Sequence, residues 1–73
     1  MKARVDWTVV LFDIYRKYRS WFAISEIVDC SHGSLYGWRD KSHEPRHSTG
    51  ERILALWSQV TGKSEAEVPR LAK

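Results

Sequence analysis

The chain reads as an all-α domain of four to five short helices arranged around a helix-turn-helix. Three observations predict this. Apolar residues recur at helical spacing in successive segments, and each segment opens on an Asp, Ser or Thr able to cap it. No segment shows the period-two alternation of a strand. Finally, the stretch Val28–Pro45 reads VDCSHGSLYGWRDKSHEP. It places a turn residue, a cap, two inward apolar positions and a proline stop at the spacing that packs one short helix across another.

In the first segment Trp7, Val10, Leu11, Ile14 and Tyr18 fall on one helical face. Asp6 is the candidate N-cap, and Arg16, Lys17 and Arg19 fall in the last turn, where the helix dipole favours cations. The first helix is therefore expected over about 6–18. Ser20 caps a second helix over about 21–28, with Trp21, Ile24 and Val28 inward. Ser25 is small enough to let a crossing helix approach, and Asp29 tolerates the left-handed conformation that ends the helix. Ser31 caps a third helix over about 32–40, held by Leu35 and Trp38. Residues 41–47 form a polar loop in which Pro45 blocks continuation. Ser48 or Thr49 is the expected cap of a fourth helix, with Ile53, Leu56, Trp57 and Val60 inward and Gly62 as its stop. Ser64 to Glu67 reads as a capping box opening a final short turn, after which Val68 and Leu71 return to the core.

Seventy-three residues make one domain, too small to hold both a large catalytic cavity and a complete core. Four tryptophans supply much of the area that it can bury. The formal charge is +3, a balance that suits an anionic partner. The cations cluster. Lys2, Arg4, Arg16, Lys17 and Arg19 lie in the first twenty residues, and Arg39, Lys41, Arg46 and all three histidines lie within 31–50. The run Arg16, Lys17, Arg19 is first of all a solvated, dipole-favoured face, with DNA-backbone contact as its alternative.

The lone Cys30 allows no internal disulfide, which fits a reducing cytoplasm. No apolar run is long enough to span a bilayer, and no secretory leader is expected. Cys30 with His32, His43 and His47 lacks the ligand spacing of a zinc site, so no metal and no other cofactor is expected. Neither a phosphate-binding glycine loop, a nucleophile motif nor a paired-carboxylate site is present, so an enzyme is not expected.

With these positions in place, the chain resembles the Cro/C1-type, lambda-repressor-like helix-turn-helix family of temperate phages and bacteria. The resemblance covers about Trp7–Val60 and is carried by Ser20, Ile24, Ser25, Val28, Asp29, Cys30, Ser31, Leu35 and Trp38, with the charged exit Arg39-Asp40-Lys41 running to Pro45. It departs from the family where Asp29 replaces the usual turn glycine, where Ser25 replaces an alanine, and where Trp21, Phe22 and Ile27 occupy positions that are usually polar or solvated. These three side chains are either more deeply covered than usual or form an exposed patch for a partner.

The resemblance implies a sequence-specific regulator that binds double-stranded DNA and represses by occluding an operator. In such a module the third helix enters the major groove. His32, Gly33, Ser34, Tyr36, Gly37 and Arg39 are then the candidates to contact bases, and Ser20, Trp21, Ser31, Lys41, Arg46, His47 and Thr49 to contact phosphate. Gly33 and Gly37, one turn apart, suggest close backbone approach to the duplex. A homodimer on a pseudo-palindromic operator is expected, with no small-molecule ligand and no membrane. The fourth helix and the tail Lys63–Lys73 form another candidate dimer surface. Two alternatives stay open: a protein-interaction or inhibitor module on the same scaffold, and a DNA-binding accessory factor in recombination or packaging.

Overall fold

A computed structural model of the protein describes residues 4–71. Lys2 and the last two residues of the candidate dimer tail, Ala72 and Lys73, lie outside the described residues. Four α-helices and one short 3-10 turn follow in order: α1 (Trp7–Tyr18), α2 (Trp21–Val28), α3 (His32–Arg39), α4 (His47–Thr61) and the turn Glu65–Glu67. There is no strand among the described residues. A single antiparallel bridge pairs Val5 with Arg70, and the flanking backbone bonds from Asp6 N–H to the Pro69 carbonyl (2.9 Å) and from Leu71 N–H to the Arg4 carbonyl (2.8 Å) hold the two segments together.

Local capping accounts for most of the boundaries. The Asp6 carboxylate accepts from Val9 N–H (3.3 Å), and the Ser20 hydroxyl from Ala23 N–H (3.1 Å). The Ser31 hydroxyl accepts from Ser34 N–H (3.1 Å). Each satisfies one orphan donor of its first turn. Asp29 takes the left-handed conformation (φ 65°). Cys30 N–H then reaches back to the Ser25 carbonyl at 2.9 Å, which closes α2 in a Schellman turn. α3 closes the same way, with Lys41 at φ 66° and Ser42 N–H donating to the Gly37 carbonyl (2.9 Å). Gly62 (φ 74°) ends α4. Glu67 reaches back to Ser64 N–H at 3.1 Å to start the 3-10 turn.

One cap differs from expectation. α4 begins at His47 with Arg46 as its N-cap and no side-chain cap bond, so neither Ser48 nor Thr49 does this work. A Cβ at Gly50 would lie 3.3 Å from the Trp7 ring and 3.8 Å from Pro45, so the first turn of α4 lays its backbone close against Trp7.

The core is one cluster: Val10, Leu11 and Ile14 from α1, Ile24 and Val28 from α2, Leu35 and Trp38 from α3, and Ile53, Leu56 and Trp57 from α4, closed by Val68. Burying such a side chain contributes about 1.5–3 kcal/mol each. Ser25 is buried and donates its hydroxyl to the Phe22 carbonyl (2.7 Å), so its polar atom is satisfied within α2. The Trp57 indole N–H donates to Asp13 (3.0 Å), tying α4 to α1. Trp7, Tyr18, Trp21, Cys30, Val60 and Tyr15 are half-buried around this cluster. Among the described residues, no helix is long and apolar enough to cross a membrane.

Candidate nucleic-acid interface

α2, the turn Asp29–Ser31 and α3 form the helix-turn-helix that the sequence predicts. α3 is anchored through Leu35 (fully buried) and Trp38 (6% exposed), while His32, Gly33 and Tyr36 lie on the surface. This follows from the helical period, since Leu35 and Trp38 are three apart and share the inward face.

Beside the start of α3 lies an open cleft of about 290 Å³, lined by Ser31, Ser34, Arg46 and Thr49 together with Cys30, Trp38, His43 and Glu44. The N-cap and third residue of both α3 (Ser31, Ser34) and α4 (Arg46, Thr49) line it, so two positive helix-dipole ends lie beside one hollow. Arg46 forms no ion pair among the described residues. Glu44 on the same rim is drawn off by Arg4 at 3.3 Å. Four of the residues assigned to phosphate or base contact therefore converge here.

The others are held elsewhere. Lys41 points to α1 and pairs with Asp6 at 3.9 Å. His47 faces Glu51 at 3.2 Å along α4. Ser20 is committed to capping α2. Trp21 is a packing residue, with its ring stacked on Tyr15 at 4.6 Å (24°) and covered from the other element by Arg39, 5.2 Å from the ring centroid. Arg39 is not a free flanking cation. It pairs through two nitrogens with its neighbour Asp40 (2.9 and 3.2 Å) and also lies 4.7 Å from the Tyr36 centroid. The hydrogen bond from Arg39 holds the Asp40 carboxyl below its ordinary range, and the same bond pushes the guanidinium value up. At α1, the Thr8 hydroxyl donates to the Arg39 carbonyl, which fixes the end of α3.

Gly37 also departs from expectation. Its missing side chain is used inside the molecule, because the His43 imidazole occupies the space and a Cβ would fall 2.1 Å from it. The exit loop thus folds back over α3, with His43 edge-on to Trp38 at 6.3 Å. Gly33 is different: nothing lies within 4 Å of where its Cβ would be, so its backbone is open to solvent.

The sequence reading missed an aromatic strip. Phe22 stacks on His32 (5.3 Å, 21°), and His32 lies 6.1 Å from Tyr36. Tyr36 meets Trp21 edge-on, and Trp21 meets Phe12 in the same manner at 5.3 Å. The strip runs across α1, α2 and α3, and Phe22 (57% exposed) and Phe12 (43%) are its open ends. The available signal was Phe12 and Tyr15 falling off the apolar face of α1, beside the adjacent pair Trp21-Phe22. Ile27 is exposed like Phe22, whereas Trp21 is packed against the core, so the three α2 side chains divide between surface and cover. Cys30 sits at the edge of the core. Burial first, and then the nearby Asp29 charge, raise its thiol value against the opposing pull of Arg52.

No family model matches the chain, and neither a curated protein nor a solved structure does.

Proposed function

We propose that the protein is a small sequence-specific double-stranded DNA-binding regulator of the Cro-like kind, acting in the cytoplasm as a homodimer that occludes a pseudo-palindromic operator. What carries the reading is the exposed face of α3. It is anchored from behind by Leu35 and Trp38, and it lies next to a cleft where Ser31, Ser34, Arg46 and Thr49 meet two helix N-termini. In this reading the cleft seats a backbone phosphate and sets the register, while His32, Gly33 and Tyr36 meet base edges. The charge balance agrees. Lys17, Arg19, Arg46, Arg52 and Lys63 have no carboxylate partner among the described residues. Selection of bound duplexes from a random pool, combined with the solution mass of the complex, tests the proposal. An enriched two-fold-related sequence bound by two copies is the expected result, and an unenriched pool sinks it.

A second reading rests on a separate observation. Val9, Phe12, Phe22 and Ile27 are large hydrophobic side chains exposed on one small domain, which suits a protein-contact module. That module would give no retarded duplex at low salt.

A further inference from the structure

We propose that Phe22 is a specificity-determining residue that packs on the C5-methyl group of thymine in the major groove, a role that rests on the DNA-binding reading above. Phe22 belongs to α2, not to the helix expected to read bases, yet its ring stacks on His32, the first residue of α3. This contact carries an apolar group to the edge of the exposed α3 face and holds it there, so little rotamer freedom is left to lose on binding. The ring has no donor or acceptor, and the thymine methyl is the apolar group that the major groove offers such a side chain.

Two features select this occupant over others. A platform for unpaired bases needs open ring faces. Here the Trp21 ring lies between Tyr15 and Arg39, and Arg39 lies over Tyr36. Phe22 alone does not make a platform. An apolar protein surface would leave the adjoining cleft and the unpaired Arg46 unanswered, whereas a duplex answers both with phosphate. Glu26 and Asp29 share a hollow with Phe22 and His32. Their carboxylates disfavour a phosphate contact at this edge.

The test uses the enriched duplex from the selection above, with each thymine replaced in turn by deoxyuridine, which removes only the methyl. At one or more positions per half-site the wild-type protein should lose about fourfold in affinity, the value of one buried methyl-sized group. Phe22→Ala should bind the parent duplex more weakly and lose that discrimination. Its ring is exposed, so the variant should keep its helical circular dichroism. If no thymine is sensitive, or if sensitivity survives in Phe22→Ala, the assignment fails while DNA binding stands. If no duplex is bound at all, the functional reading falls and takes this inference with it.

Discussion

Gly33 and Gly37 have the same residue type, one turn apart on one helix, and opposite roles. Alanine at Gly33 meets nothing within 4 Å, so it should stabilise the domain by about 0.5–1 kcal/mol through helix propensity. If the backbone there approaches a duplex, the same change weakens DNA binding, and melting and binding move in opposite directions. Alanine at Gly37 must displace His43, and its propensity gain should be recovered only alongside His43→Ala. Thermal melts of the two single variants and the double variant check this. Trp38 tests the anchoring of α3. At 6% exposed and packed against the core, its replacement by alanine should cost about 3–5 kcal/mol. A Trp38→Ala variant with wild-type denaturation would contradict the anchoring.

At the scale of elements, most helix boundaries were readable because caps are local. Asp6, Ser20, Ser31 and Gly62 each act within a few residues of their own position, and Asp29 needs only its tolerance of positive φ. The start of α4 was not readable because Arg46 stands at the N-cap without a side-chain bond, while Ser48 and Thr49, good capping types, lie inside the helix. The site was only half visible. Periodicity shows that Tyr36 and His32 face outward, but not that Arg39 folds onto Trp21 or that His43 covers Gly37, since side-chain direction across elements is absent from the pattern. Arg46→Ala, at the cleft between α3 and α4, should weaken binding to all duplexes alike and lower the magnitude of the salt slope by about one. His32→Ala or Tyr36→Ala should instead relax preference at particular base pairs, by about 1–3 kcal/mol each. Competition binding against a panel of duplexes separates the two patterns.

As a whole, the molecule measures 33 × 27 × 20 Å. Successive major grooves on one side of DNA lie about 34 Å apart, so in the proposed complex one copy would place a single α3 in a single groove and two copies would read adjacent half-sites. Dimer formation would add binding energy without enlarging the site of either copy. The exposed Ile27 and Val9 are available for such an interface.

Neutralisation of DNA phosphates by the proposed surface is tested most directly by measuring affinity for duplex DNA as a function of salt concentration. With about five phosphates engaged, the log–log slope should fall near −4 to −5. Absence of any retarded duplex at low salt across a random pool, or affinity indifferent to salt, would contradict it.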